Sequence, residues 1–247
     1  MLLSDELYLT GLRLQWEDIE RDSYIREIEA LRDMNELSFH SPVTFFVGEN
    51  GSGKSTLLEA IAVAYGFNPE GGTLNYSFST YDSHSELCNV TKLIRSYRKA
   101  KWGYFLRAES FYNVASAEEY YSSQPRGVPQ HYHEKSHGES FLSVIQKNFN
   151  KEGLYILDEP EAALSPQRQL TLLLEMSKCV NNDSQFIVVT HSPILLGFPD
   201  AEILCFDNGT IEPVSYEDTQ SYQITKMFVN DRRNVLRHLL ETSDNDI

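Results

Sequence analysis

A glycine-rich loop between a predicted strand and a predicted helix constrains this chain more than any other stretch. The loop runs from Gly48 to Thr56 and reads Gly-Glu-Asn-Gly-Ser-Gly-Lys-Ser-Thr. It follows the apolar run Val43–Val47 and precedes the apolar-periodic stretch from Leu57 to Tyr65. Strand, loop and helix in this order are the context in which the G-x-x-x-x-G-K-[ST] pattern forms a phosphate-binding loop. The alternative is a glycine turn that only caps the helix, and the order favours the phosphate-binding loop.

The residue types of the loop suit a nucleoside triphosphate. Its glycines Gly48, Gly51 and Gly53 let successive N–H groups converge on phosphate oxygens at a helix N-terminus, where the helix dipole favours negative charge. Lys54 is expected to reach the β and γ phosphates, and the Ser55 hydroxyl to ligate Mg²⁺. The predicted nucleotide-binding residues of the loop are consecutive: Glu49, Asn50, Gly51, Ser52, Gly53, Lys54, Ser55 and Thr56.

Two consecutive acids end a second apolar run. The run Gly153–Leu157 predicts a buried strand, and Asp158, Glu159 and Pro160 follow it directly. Acids at the carboxyl end of a buried strand lie where open α/β sheets bind their ligands. Asp158 suits the coordination sphere of Mg²⁺, and Glu159 suits a base that orients the attacking water. A helix-capping pair is the alternative, but it explains these acids poorly because Pro160 comes next.

A histidine marks the end of a third apolar run. His191 follows the predicted strand Gln185–Thr190. Packing is the ordinary explanation for a histidine at a strand end. This strand end, however, is expected at the same edge of the sheet as the loop and the two acids, which makes His191 a candidate for the site.

Other elements are predicted from periodicity and turn residues. Two short strands precede the loop, at Leu7–Gln15 with a bulge near Thr10-Gly11 and at Leu37–Phe39. The segment Asp207-Asn-Gly209 predicts a hairpin turn. The helix after Ser136 presents one apolar set: Phe141, Ile145 and Phe149. The helix after Ser165, its expected N-cap, presents a second set: Leu170, Leu173, Leu174 and Ser177.

Composition indicates a single domain without a membrane segment. The chain has 247 residues, of which 41% are hydrophobic and 23% charged. No apolar run approaches the roughly 18 residues of a membrane span, and the first residues lack the pattern of a signal peptide, so we expect a cytoplasmic location. Residues 1–247 are expected to form one domain, with a helical or arm sub-lobe at about 82–150 and a helical tail at about 216–247. The three cysteines are far apart, which predicts reduced structural residues: Cys88, Cys179 and Cys205.

The charge is negative overall but uneven. A net charge of −15 argues against a protein whose whole surface attracts nucleic acid through an excess of basic residues. The segment 92–107 nevertheless carries six basic residues and no acid: Lys92, Arg95, Arg98, Lys99, Lys101 and Arg107. Interleaved Tyr97, Trp102 and Tyr104 could stack on bases or on a partner protein. A solvated helix face that pairs with the protein's own acids explains the segment equally well.

Together the motifs resemble the ATP-binding-cassette class of ATPases, and its SMC, RecF and OLD-like branch more closely than its transporter branch. The loop, Asp158-Glu159, Leu164-Ser165 and His191 match the phosphate loop, acidic strand, D-loop and switch histidine of that class, in that order. Ser136-His-Gly-Glu139 looks like the signature motif. The amino-acid sequence of these motifs is similar to that of a group of small stand-alone predicted ATPases, and the resemblance extends from about residue 7 to about residue 206.

The resemblance implies a three-layer α/β P-loop fold of ABC-ATPase type, with a mostly parallel central sheet, an N-terminal antiparallel portion and a small helical lobe. It implies ATP and Mg²⁺ as ligands, and catalytic roles for Lys54, Glu159 and His191. Two chains are expected to sandwich two ATP molecules as a homodimer. The partner's Ser136, Gly138 and Glu139 would complete each site, and hydrolysis would release the dimer. This predicts a switch in DNA or RNA maintenance or in defence.

The chain also departs from the class. Its signature is not the Leu-Ser-Gly-Gly-Gln of transporters, and no glutamine follows the strand near residue 107, so Glu109 is the candidate for that Mg²⁺ and water-positioning site. Heptads of a long coiled coil are absent. Three other functions stay open: the nucleotide-binding subunit of an ABC transporter, a binding module that does not hydrolyse ATP, and a small-molecule kinase that shares the loop alone.

Overall fold

The computed structural model describes residues 7–74, 85–107 and 137–241. Its strands are, in chain order, β1 (Leu9–Leu14), β2 (Glu36–Ser38), β3 (Val43–Val47), β4 (Gly72–Thr73), β5 (Thr91–Arg95), β6 (Trp102–Arg107), β7 (Gly153–Asp158), β8 (Gln185–Val189), β9 (Glu202–Cys205) and β10 (Glu212–Pro213). Its helices are α1 (Glu29–Arg32), α2 (Lys54–Tyr65), α3 (Leu87–Val90), α4 (His137–Asn148), α5 (Pro166–Val180), α6 (Pro193–Leu196), α7 (Gln220–Asn230) and α8 (Arg232–Glu241). Among these residues the strands form one sheet of seven and one of three.

The seven-stranded sheet is the centre of the molecule. Its strand order is β10-β9-β3-β8-β7-β6-β4. The five inner strands are parallel to their neighbours, and the short outer strands β4 and β10 pair antiparallel. Every residue of β3, β7 and β8 is buried, as expected for parallel strands that are covered on both faces. The prediction of a mostly parallel central sheet is confirmed.

The three-stranded sheet is the antiparallel N-terminal portion. β1 pairs with β2 on one side and with β5 on the other. The register between β1 and β5 shifts between Leu9 and Gly11, so the predicted bulge is present. A Cβ atom at Gly11 would collide with the backbone oxygen of Leu37 in β2. Glycine at this position therefore lets the two strands approach closely.

A buried glutamine joins the two sheets. The Gln185 side chain, at the start of β8, accepts hydrogen bonds from the backbone N–H groups of Tyr8 at 2.9 Å and Leu9 at 3.0 Å. Its Nε2 donates to the Leu9 carbonyl at 2.8 Å. Gln185 is 1% exposed, so its buried amide supplies hydrogen-bond partners to three backbone groups at the start of β1.

Helices cover both faces of the central sheet. Alternate residues of a strand point to opposite faces, so Phe46 of β3 packs in the cluster that contains α2 and the three-stranded sheet. Its neighbour Phe45 packs in the second cluster, with residues of α4, α5 and α6. Three layers result, with the central sheet in the middle. The predicted mixed α/β fold class is confirmed.

Two helices of the second cluster, α4 and α5, test the predicted apolar faces. Phe141, Ile145 and Phe149, predicted to share one face of α4, are all buried. The face predicted for α5 is wrong, because Leu170 and Leu174 are 54% and 63% exposed. The buried residues of α5 are Gln169, Leu172, Met176 and Cys179. Leucines occupy 172, 173 and 174 in succession, so they cover several sides of the helix and spacing alone did not identify the buried one. Ser165 is the N-cap residue, but its side chain makes no capping hydrogen bond.

The basic segment 92–107 forms strands. It runs through most of β5, a connection and β6, so the interpretation as a helix face is wrong. Pairing with the protein's own acids is confirmed for three residues: Arg98 with Asp183, Lys101 with Glu152 and Arg107 with Glu59. Tyr104 is 1% exposed and is therefore closed to stacking partners, whereas Tyr97 is 84% exposed.

The C-terminal part begins with the predicted hairpin, in which β9 and β10 flank a short turn at Asp207–Gly209. The helices α7 and α8 follow, as predicted for the tail. In the predicted sub-lobe at about 82–150, the described residues form α3, β5, β6 and α4, and β6 belongs to the central sheet. No helix in the described ranges combines the length and apolar character needed to cross a membrane.

Candidate nucleotide-binding site

The predicted site residues meet at one edge of the central sheet. The strands β3, β7, β8 and β9 are parallel, so their carboxyl ends lie at the same edge. The glycine loop follows β3, Asp158 ends β7 with Glu159 after it, His191 lies just past β8, and Asp207 lies just past β9. This convergence was predicted for the loop, the acids and the histidine.

The glycine loop adopts backbone conformations that require glycine. Gly48, Gly51 and Gly53 have φ values of 137°, 83° and 98°. Gly53 is the N-cap of α2, and a Cβ atom there would press on Ile28 and Leu31 of the segment packed beside the loop. The loop therefore opens directly onto the N-terminus of a twelve-residue helix, where free backbone N–H groups favour an anion.

Lys54 is folded back onto its own loop. Its Nζ donates to the carbonyl oxygens of Gly48 at 2.8 Å and Glu49 at 2.6 Å. Lys54 is 5% exposed, and burial lowers the pKa of its ammonium group, while the nearby carboxylates of Glu159 and Asp207 oppose that shift. Nζ also donates to the Ser52 hydroxyl at 3.4 Å. A buried ammonium group whose hydrogen-bond acceptors are all neutral is well placed to exchange them for phosphate oxygens.

Ser55 and Asp158 are in direct contact, as their predicted common role requires. The Ser55 hydroxyl donates to Oδ1 of Asp158 at 2.9 Å. On the other side of the carboxylate, the Nε atom of Arg107 lies 3.7 Å from Oδ2. Arg107 also pairs with Glu59 of α2, through its Nη1 atom and Oε2 of Glu59 at 2.5 Å. A hydroxyl and a carboxylate oxygen side by side are the hard ligands that Mg²⁺ prefers, so these residues fit the ion.

The turns after β7 and β8 are hydrogen-bonded to each other. Glu159 has a left-handed backbone, with φ of 47°, and its N–H donates to the Val189 carbonyl at 3.0 Å. The N–H of His191 donates to Oε1 of Glu161 at 2.5 Å. Among the described residues, His191 Nε2 is buried without a hydrogen-bond partner. Glu159 and His191 are thus on adjoining turns, as their predicted roles require.

A cleft of about 860 Å³ opens beside the loop. It is lined by loop residues 49–52, by the turn at Asp207–Gly209 and by Tyr24, which is 55% exposed. The Tyr24 hydroxyl donates to Ser85 Oγ at 3.0 Å. The cleft gives the part of a nucleotide beyond its phosphates a place next to the loop.

The predicted signature motif is only partly described. Ser136 and the Mg²⁺ candidate Glu109 lie outside the described residues. Gly138 is in the first turn of α4, so the motif coincides with a helix N-terminus as predicted. The Glu139 carboxylate forms an ion pair with Arg168 of α5 at 3.3 Å.

Three residues at this edge were not predicted. Asp207 accepts the N–H of Glu49 at 2.8 Å and so holds the start of the loop, although its sequence suggested only a hairpin turn. Glu161 bonds to the His191 backbone, and Arg107 lies next to Asp158. For Asp207 and Arg107 a signal existed, since each lies at or just past the carboxyl end of a predicted strand. No local signal distinguished Glu161.

Comparison with known proteins agrees with this site. A family model described as an AAA domain matches residues 24–169, which include the loop and both acids. No curated protein matches the chain significantly.

The chain is also similar to several solved structures. The SMC head domain from Thermotoga maritima is 18% identical, with 85% of this chain and 100% of that chain covered and a TM-score of 0.49. MJ1267, an ATP-binding cassette of an ABC transporter, is 15% identical, with 92% and 97% covered and a TM-score of 0.43. Because both TM-scores lie below 0.5, these likenesses add nothing to the fold described above.

The family model carries the assignment, because it spans more than half of the chain and contains the glycine loop and both acids. The chain belongs to the AAA domain family, and its glycine loop has the sequence and the setting of a P-loop.

Proposed function

We propose that this protein binds ATP with Mg²⁺ and hydrolyses it to ADP and phosphate. The observation that carries the proposal is the 2.9 Å contact between the Ser55 hydroxyl and the Asp158 carboxylate. It joins the first turn of the loop helix to the end of the acidic strand. A hydroxyl and a carboxylate in contact with each other are suited to hold a metal ion that links the nucleotide phosphates to the protein.

The chain's own residues would divide the work. The loop N–H groups would bind the β and γ phosphates, and Lys54 would leave the carbonyls of Gly48 and Glu49 to neutralise them. Ser55 and Asp158 would hold Mg²⁺, which stabilises the charge that develops on the phosphate oxygens. Glu159 would orient the attacking water, and His191 would contact the γ-phosphate side of the site.

ATP would also act as a dimerisation ligand. In this proposal the signature helix α4 presents its N-terminus, with Ser136, Gly138 and Glu139, to the nucleotide held by a second copy of the chain. A helix N-terminus attracts a phosphate group whether the nucleotide is bound by the same chain or by a second copy of it, so the proposal needs no new chemistry. Hydrolysis would remove the γ-phosphate and release the dimer, which makes the pair a switch.

Turnover and mass together test the proposal. Steady-state phosphate release is measured for the wild type and for Glu159→Gln, each with Mg²⁺ and with EDTA. We expect Mg²⁺-dependent turnover in the wild type and a loss of about 100-fold or more in the variant. Light scattering of Glu159→Gln should then show a doubling of mass with Mg-ATP, and no change with Mg-ADP.

Two results would contradict the proposal at different points. Equal Mg²⁺-dependent turnover in the wild type and in Glu159→Gln would remove Glu159 from the reaction, and an absence of turnover in both would leave ATP as a bound structural ligand. A variant that binds Mg-ATP but stays monomeric would refute the homodimeric switch, and a different chain would then have to supply the second half of the site.

A further inference from the structure

The turn after β7 is bound to the turn after β8 at three places. The first is the backbone bond from Glu159 N–H to the Val189 carbonyl at 3.0 Å. The second is the bond from His191 N–H to Glu161 Oε1 at 2.5 Å. The third runs through Gln169 of α5, whose Oε1 accepts from Ser192 Oγ at 2.5 Å and whose Nε2 donates to the Leu164 carbonyl at 3.1 Å.

The Glu161 carboxylate is an unusual group in this arrangement. Its Oε2 atom is buried and has no hydrogen-bond partner among the described residues. Burial raises the pKa of this carboxyl, although the His191 backbone and the Thr190 hydroxyl oppose that shift. A buried carboxyl that uses its oxygens incompletely costs free energy, so its place in the fold calls for an explanation.

Glu161 lies on the same short turn as Glu159. The turn is the 3₁₀ helix Pro160–Ala163, and Pro160 at its first position restricts the backbone between the two glutamates. Glu159 itself holds a left-handed conformation. A rigid turn that carries one acid to the reaction site and a second acid to the His191 backbone fixes the separation of the two.

His191 depends on its backbone for its position. Its ring nitrogen Nε2 has no hydrogen-bond partner in the described part of the chain, so no side-chain bond through that atom orients the ring. The backbone of His191, from which the ring extends, is held by the hydrogen bond from its N–H to Glu161. It is also flanked by the buried residues Thr190 and Ser192. A shift of about 1 Å in such a group is enough to impair catalysis severely.

We propose that Glu161 is a positioning residue, which holds the His191 turn at the distance from Glu159 that ATP hydrolysis requires. The inference rests on the proposed function, because it assigns Glu161 a part in that reaction. Glu161 itself touches neither nucleotide nor water in this account. It acts through the backbone of His191.

Two substitutions separate this role from packing. Glu161→Leu keeps the approximate volume and removes the acceptor for the His191 N–H. Glu161→Gln keeps an acceptor oxygen in nearly the same place. Glu36→Leu, at an exposed carboxylate paired with Arg13 on the three-stranded sheet, is the control for the loss of a carboxylate. All four proteins are compared in turnover, in Kd for Mg-ATP and in hydrogen exchange of the His191 amide.

We expect Glu161→Leu to lower kcat about tenfold or more, while its Kd for Mg-ATP stays within about threefold of the wild type. Its His191 amide should exchange faster, because the N–H has lost its acceptor. Glu161→Gln should restore both quantities to within about threefold of the wild type. Glu36→Leu should change neither.

Each contrary result has its own meaning. Wild-type kcat in Glu161→Leu would overturn the inference while leaving the proposed function intact. Equal impairment of the leucine and glutamine variants would overturn it too, since the acceptor oxygen would then be irrelevant. If the wild type is no faster than Glu159→Gln, the proposed function fails, and the role of Glu161 in hydrolysis fails with it. The exchange rate of the His191 amide then shows only whether the hydrogen bond between Glu161 and the His191 N–H exists in solution.

Discussion

Burial gives the Glu161 carboxyl a raised pKa, which makes the stability of the protein depend on pH. The folded chain binds this proton more tightly than the unfolded chain does. The stability that Glu161 contributes is therefore complete below the ordinary pKa of glutamate, about 4.3, and is lost as the pH rises through the raised value. We predict that Glu161→Gln, which cannot titrate, gains free energy of unfolding relative to the wild type as the pH rises.

Urea unfolding of both proteins at a series of pH values from about 4 to 8 measures this difference. Glu36→Gln, at an exposed carboxylate, is the control and should show no comparable trend. A gap between wild type and Glu161→Gln that stays constant over the whole series would show that Glu161 keeps an ordinary pKa in the folded protein.

The residues of the candidate site differ in how far they were predictable. Lys54, Ser55 and Asp158 belong to motifs whose chemistry is local, and the contact between Ser55 and Asp158 agrees with the role predicted for both. Glu161 and Asp207 act on backbone N–H groups that are 30 and 158 positions away in sequence. The sequence around each residue does not indicate such a distant partner. Asp207 could have been selected only by its position just past the end of a predicted strand, and no local signal distinguished Glu161.

Helix α5 shows that an apolar residue predicts a contribution to stability only when it is known whether its side of the helix faces the core. Leu172 is fully buried, whereas Leu170 on the same helix is 54% exposed. We predict that Leu172→Ala lowers the free energy of unfolding by about 2–5 kcal/mol, because it leaves a cavity in the second core cluster. Leu170→Ala should change it by less than about 0.5 kcal/mol, since its side chain is already largely in water.

Chemical denaturation of the two variants beside the wild type decides the point. Both substitutions replace leucine by alanine inside the same helix, so helix propensity affects them alike. Similar losses in the two variants would mean that Leu170 is covered in solution. Loss at Leu170 alone would mean that α5 is rotated from the orientation described above.

For the molecule as a whole, the remaining question is whether an acidic protein uses its basic segment to hold a nucleic acid. Arg98, Lys101 and Arg107 are paired within the chain, while Lys92 and Lys99 are exposed on either side of Tyr97. We predict that Lys92→Glu with Lys99→Glu weakens binding of a single-stranded oligonucleotide about tenfold at low salt, because two phosphate contacts are lost.

Fluorescence anisotropy at two salt concentrations is the measurement, with Lys178→Glu plus Lys226→Glu as a control of equal charge change elsewhere. A weaker salt dependence in the first double variant alone would support a specific surface. Equal effects of both double variants would indicate only the general charge of the protein, and unchanged binding would exclude segment 92–107 as the contact.

The local order of the chain determined the elements and the chemistry of this protein. Strand, glycine loop and helix around Lys54, and the acids after β7, follow from turn residues and from apolar spacing, which act over a few neighbouring positions. These signals were enough to predict the elements and a site at one sheet edge, whereas the mostly parallel α/β fold was implied by the resemblance of the motifs to ATP-binding-cassette ATPases.

The tertiary structure decided which of these elements are neighbours. Because β8 lies between β3 and β7, the His191 turn meets the Glu161 turn, and because Gln185 starts that strand, it can bind β1. Strand order and the buried side of α5 depend on contacts between distant segments, whose free energy is gained only when the whole core forms. Spacing along the chain does not contain that information.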